Sequence, residues 1–193
     1  MRLKFLDAIL GKSELPKAKL DRLFAISTAT VTMEANLGFK AGGKAGICIK
    51  PLESSRYESA RSEVEDLLRY SNKETGTDYQ LQKDKYNYLW VVLKDGDFED
   101  LVTNVHLVSQ TLIDHGFGEQ LLCAIYLFLE TGSKKGSIYW IYNFKAGAYY
   151  PFAPLESKKR DNALEFRLRS LMEEELPIEK NVEKWYPLWG TPL

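Results

Sequence analysis

The chain has 193 residues, enough for one domain or one domain with tails, and at 45% hydrophobic it can bury a sizeable core. A formal net charge of −1 supplies no general electrostatic drive towards nucleic acid, whose phosphates call for a basic face. The two cysteines, Cys48 and Cys123, sit in apolar runs and read as buried thiols in a reducing compartment. Nothing at the start has the length and cleavage pattern of an export signal, so a cytoplasmic protein is expected.

The first 15 residues read as a short amphipathic segment and linker, and residues 16–193 as a single domain. Leu3, Leu6 and Leu10 share one helical face, flanked by Phe5 and Ile9, with basic Arg2, Lys4 and Lys12 around it. Two readings fit. A helix this short is marginal without a surface to pack on, so it either packs on its own domain or docks on a partner or an anionic membrane face. Leu20, Leu23 and Phe24 suggest a helix start, and Ser27-Thr28 suggests a cap for a helix running to Leu37 and closed by Gly38. The β-branched Thr28, Thr30, Val31 and Thr32 keep a strand open here. Gly42, Gly43 and Gly46 mark a loop before a short strand, Ile47-Cys48-Ile49. Gly42-Gly43-Lys44 is not a phosphate loop, because the spacing is wrong and a strand follows.

Pro51 ends that strand. Ser55 with Glu58 forms a capping-box pattern, and Tyr57, Ala60, Arg61, Val64, Leu67 and Leu68 give a helix ending near Tyr70. Residues 72–77 read as a polar linker, and residues 79–94 as a hairpin turning at Lys83-Asp84-Lys85. After the Asp95-Gly96 turn, Phe98, Leu101, Val105, Val108 and Leu112 keep helical spacing. Acidic Asp97, Glu99 and Asp100 suit its N-terminus, and His115-Gly116 its end. Residues 121–129 are apolar throughout. That is too short for a spanning helix, which needs about 20 residues, and fits a strand covered on both faces. Residues 138–144 and 148–152 follow as aromatic strands around a Lys145-Ala146-Gly147 turn. Residues 154–160 read as a charged loop, Asp161 as the cap of a helix reaching about Glu175, and Pro177 as its stop. The tail, Trp185-Tyr186-Pro187-Leu188-Trp189-Gly190, either packs back on the sheet or joins a partner site.

The element order favours an α+β fold, a mainly antiparallel sheet with helices packed on it, loosely like secretion chaperones. No catalytic set is evident. His106 and His115 lie on one helix without metal-spaced partners, and there is no CxxC, HExxH or nucleophile elbow. No catalytic residue, metal ligand or cofactor is therefore assigned. Arg160-Asp161-Asn162 reads either as a loop and helix cap or as a spot where Arg160 holds a carboxylate or phosphate.

Several blocks, in order, resemble one family, the PspA-associated protein PspAB. They are Phe5-Leu6-Asp7-Ala8-Ile9-Leu10-Gly11, Leu20-Asp21-Arg22-Leu23-Phe24, Gly116-Phe117-Gly118 with Gln120-Leu121-Leu122-Cys123, and Tyr150-Pro151-Phe152-Ala153-Pro154. Arg160-Asp161-Asn162-Ala163-Leu164-Glu165, Leu176-Pro177-Ile178-Glu179 and the aromatic tail complete the set. The resemblance implies a non-enzymatic accessory of PspA, the coiled-coil, membrane-binding protein of the phage-shock envelope-stress response. It implies a cytoplasmic protein with peripheral membrane contact, and an HtpX-type membrane protease as a further partner. Candidate contact residues are Phe5, Leu6, Ile9 and Leu10 in the first segment, with Tyr150, Phe152, Arg160, Asp161, Trp185 and Trp189 as a second surface. The competing reading is a small-ligand binder or unrecognised enzyme with a cleft beside the aromatic strands and Arg160-Asp161-Asn162.

Overall fold

A computed structural model describes residues 20–132 and 136–193 of the chain. Six antiparallel strands form one sheet: β1 (Phe39–Ile49), β2 (Asp78–Lys83), β3 (Leu89–Lys94), β4 (Leu121–Glu130), β5 (Ser137–Asn143) and β6 (Ala148–Phe152). Their spatial order is β2-β3-β1-β4-β5-β6, so the apolar runs of β1 and β4 fall at the centre. Among the described residues four α-helices accompany them: α1 (Ala25–Leu37), α2 (Ser55–Thr75), α3 (Phe98–Asp114) and α4 (Asn162–Met172). The α+β class and the antiparallel sheet expected from the sequence are the observed ones.

Both faces of the sheet are covered. Side chains alternate along each strand, which sends Ile47, Val91, Ala124, Tyr126, Phe128, Trp140 and Tyr142 towards the helices, where Leu101, Val105 and Leu112 of α3 complete the larger core. The opposite set, Cys48, Trp90, Cys123, Ile125, Ile141, Tyr150 and Phe152, is covered by the C-terminal segment through Trp185, Leu188, Trp189 and Leu193. This segment starts by covering the β6 edge. Tyr149 donates its backbone N–H to the Pro177 carbonyl (2.7 Å), and Glu179 donates to Tyr149 (2.8 Å). It then crosses the second face as far as Gly46, where a Cβ would come within 2.9 Å of Leu193 Cδ1. Of the two readings of the tail, the one in which it packs back on the sheet holds.

Several local expectations need correction. Gly42, Gly43 and Gly46 lie inside β1 rather than in a loop. The strand carries a register shift between Ala41 and Ala45, and Gly43 takes a positive φ of 69° there, the conformation a bulge needs and other residues resist. The cap of α1 is not Ser27-Thr28. A 3-10 turn, Leu20–Arg22, leads into a helix that begins at Ala25. The threonines form helix despite their branching, and Thr28 and Thr30 donate back to the carbonyls of Ala25 and Ser27. Ser54, not Ser55, caps α2 by accepting from the Tyr57 N–H at 3.2 Å. That helix continues to Thr75 through the stretch read as linker, closed by Gly76 at φ 84°. The hairpin forms, but its turn spans residues 84–88 instead of Lys83-Asp84-Lys85, with Lys83 still paired to Leu89. Asp84 accepts from the N–H groups of Tyr86 and Tyr88 and from Trp90 Nε1. Helix α4 ends at Met172 instead of Glu175, and residues 154–160 contain a small second sheet, β7 (Pro154–Leu155) with β8 (Lys159–Arg160).

Candidate functional site

The six residues expected to form a second surface do come together, at the β6 edge where the tail crosses the sheet. Asp161 caps α4 by accepting from the Leu164 N–H at 2.9 Å. This fixes the first turn of the helix and turns Glu165 inward, where it is 2% exposed. Glu165 accepts from the Ala153 N–H at 2.8 Å and from Arg160 Nε at 3.0 and 3.1 Å, and its Oε2 lies 2.9 Å from Arg160 Nη2. Arg160 Nη1 donates to the Trp185 carbonyl at 2.6 Å. The guanidinium also lies over the Phe152 ring, 5.4 Å from its centroid. Arg160 therefore holds a carboxylate, and that carboxylate is the chain's own Glu165.

The aromatic residues interlock around this clamp. Tyr150 stacks on Trp185 at 6.3 Å and donates its hydroxyl to the Tyr186 carbonyl at 3.1 Å. Burial pushes the Tyr150 phenol far above its ordinary range. Trp185 Nε1 donates to the Glu179 carbonyl at 2.8 Å, and Phe152 meets Trp189 edge-on at 5.0 Å. Tyr150, Phe152 and Trp185 are thus interior residues of the joint, while Arg160, Asp161 and Trp189 are half-buried at its margin. Phe166 and Tyr186 stand exposed beside it, at 47% and 57%. The remaining four candidates, Phe5, Leu6, Ile9 and Leu10, lie outside the described residues.

Beside Asp161, where the sequence suggests a cleft, a hollow of about 740 Å³ is lined by Ile138, Ala153, Pro154, Ala163, Leu164 and Arg167. A cavity of about 480 Å³ opens at the sheet end where β4 begins and β5 finishes. Leu122, Cys123, Phe144, Tyr150 and Leu188 form its apolar wall, and Lys50, Glu119 and Lys145 lie at its exposed rim. Lys50 and Lys145 make no ion pair among the described residues. The histidines are far simpler. His115 follows α3 as its cap and meets Glu63 Oε2 at 2.8 Å. His106 packs against the Phe24 ring at 4.8 Å, and burial lowers its pKa.

Sequence reasoning missed Glu165 and the 480 Å³ cleft at the β4–β5 end. Glu165 carried one usable signal, since it falls three residues before Leu168 and seven before Met172, on the inward stripe of α4. The cleft had none, because its walls come from strand ends that only the sheet order joins. Among the described residues, no group of three or more His, Cys, Asp or Glu is arranged to hold a metal ion. No helix among them is long and apolar enough to cross a membrane.

No curated protein and no solved structure matches this chain. A family profile described as PspA associated protein B matches residues 3–193, essentially its whole length. The chain belongs to the PspA associated protein B family.

Proposed function

We propose that this protein is a non-enzymatic accessory of a PspA-type membrane-stress protein, acting by protein contact at the cytoplasmic face of the membrane. The observation that carries this reading is the family match across residues 3–193. The first segment, through Phe5, Leu6, Ile9 and Leu10, supplies the primary docking element, because its apolar stripe with flanking basic residues suits an apolar partner groove near an anionic surface. The outer side of the aromatic joint supplies a second contact. Exposed Phe166 and Tyr186 flank Trp185 there, with half-buried Trp189 and Asp161 at the margin. In this role Tyr150, Phe152, Arg160 and Trp185 act by holding the surface in shape. An HtpX-type membrane protease is a further candidate partner.

The test uses purified full-length protein and a form lacking residues 1–12, each mixed with the PspA-type protein of the same cell on anionic vesicles and sedimented. Full-length protein is expected in the pellet only when PspA is present. Loss of that binding on removing residues 1–12 assigns docking to the first segment, and retained binding assigns it to the aromatic joint. Full-length protein staying in the supernatant in both cases would overturn the reading.

The 480 Å³ cleft favours a second reading, a small-ligand binder. An apolar wall with Lys50 and Lys145 at the rim suits an apolar chain bearing an acidic group. Calorimetric titration with a medium-chain fatty acid tests it. Saturable binding that weakens on Lys50→Glu supports the reading, and heats no larger than those of dilution sink it.

A further inference from the structure

The two cysteines of the chain, far apart in sequence, stand directly opposite each other. Cys48 of β1 and Cys123 of β4 are Cα partners in the antiparallel register. Opposed residues in such a pair point to the same face with Cα atoms about 4.5–5.5 Å apart, inside the span of about 4.4–6.8 Å that a disulfide bridges. Both thiols are free and buried, at 5% and 8% exposure. They project to the face covered by the tail, in one cluster with Trp90, Tyr150 and Trp185. The register shifts immediately after the pair, between Cys48 and Ile49, and such a bulge twists and loosens the ladder beside it. Cys123 also lines the cleft, where a small reagent comes nearest to the pair. A hydrogen bond to Cys48, together with burial, holds the Cys123 thiol well above its ordinary pKa, which keeps its thiolate scarce and its exchange slow.

We propose that Cys48 and Cys123 form a reversible dithiol–disulfide pair that ties the two central strands together, oxidised by low-molecular-weight disulfides entering through the cleft. Cys123 gives up its proton, and its thiolate attacks one sulfur of the reagent RSSR. This breaks the reagent S–S bond, releases RS⁻ and leaves a mixed disulfide on Cys123. Cys48 then loses its proton and attacks the Cys123 sulfur, forming the intramolecular bond and releasing a second RS⁻. Two electrons pass from the protein to the reagent, and the two protons end on two RSH molecules. Excess thiol runs the exchange backwards.

Full-length protein is incubated for hours with oxidised glutathione under native conditions, with circular dichroism recorded to show that it stays folded. It is then acid-quenched, denatured and alkylated, and its intact mass is measured. The expected product is a monomer with one intramolecular disulfide and no alkylated thiol. Dithiothreitol should restore both thiols, and the oxidised form should melt several degrees higher than the reduced one. Cys48→Ala should stop at a stable glutathione adduct on Cys123. Two alkylatable thiols after incubation of the folded protein would overturn the proposal. So would a persistent mixed disulfide in the unsubstituted chain, or disulfide-linked dimers on a non-reducing gel. These outcomes are read on the native sequence, so they stand even where the Cys48→Ala form fails to fold.

Discussion

Two buried tyrosines on the helix-covered face of the sheet make opposite demands. The Tyr149 hydroxyl donates to the Leu23 carbonyl and so fastens the entry of the chain to β6. The Tyr126 hydroxyl is equally buried and has no hydrogen-bond partner among the described residues. Removing a made bond strands a buried acceptor, whereas removing an unmade one relieves a desolvated donor. Tyr149→Phe should therefore lower stability by about 1–2 kcal/mol, while Tyr126→Phe should leave it unchanged or raise it, both measured by urea unfolding. A third residue sets a pH dependence. Burial lowers the His106 pKa in the folded state, so the unfolded chain takes up the proton more readily. The stability that neutral His106 contributes is fully present above its unfolded value of about 6.5 and is lost as pH falls through that value towards the folded one. The pH slope of the urea midpoint in this window should flatten in His106→Gln. At this scale the sequence was partly legible. Asp161 as a helix cap and His115 as a helix end follow from residue type and position. Glu165 escaped notice because a glutamate on an apolar stripe is ordinarily solvated, and its partner Arg160 reaches it only through the turn of β7 and β8.

The C-terminal segment is the element with the most at stake. It covers Cys48, Trp90, Cys123, Ile125 and Ile141 on the second face of the sheet, and its attachment rests on the Arg160–Glu165 clamp and on Trp185, which is 2% exposed. Glu165→Ala leaves the Ala153 N–H and the Nε and Nη2 of the largely buried Arg160 guanidinium without the carboxylate, with only Nη1 still held by the Trp185 carbonyl. A loss of about 3 kcal/mol is expected by chemical denaturation, together with increased binding of a hydrophobic dye as the second face opens. Trp185→Ala should cost about 3–5 kcal/mol. In β1, Gly42 faces β4 so closely that a Cβ would lie 2.6 Å from Leu127 Cγ. Gly42→Ala should lower stability by about 1–3 kcal/mol through overpacking. Element type was readable wherever periodicity was long, as in α3 and in the unbroken apolar run of β4, whose two-sided burial the run itself implied. It failed where glycine stood in a strand. Gly42, Gly43 and Gly46 looked like a loop because composition does not reveal a bulge or a neighbour pressing on the backbone. Helix α2 ran past its expected end because a polar stretch can stay helical on a solvated face.

At the scale of the molecule, the aromatic surplus has a structural explanation. Tyr139, Tyr150, Phe152, Trp185 and Trp189 build a second core between sheet and tail, which leaves the joint's outer side and the first segment as the contact surfaces proposed for PspA. The order of the strands decides this, and no local pattern announces it. The measurement that tests the central claim most directly is co-sedimentation of the purified full-length protein with anionic vesicles carrying its PspA-type partner. The account predicts that the protein pellets with those vesicles and stays in solution with vesicles lacking PspA. Protein that remains in the supernatant in both cases would contradict it.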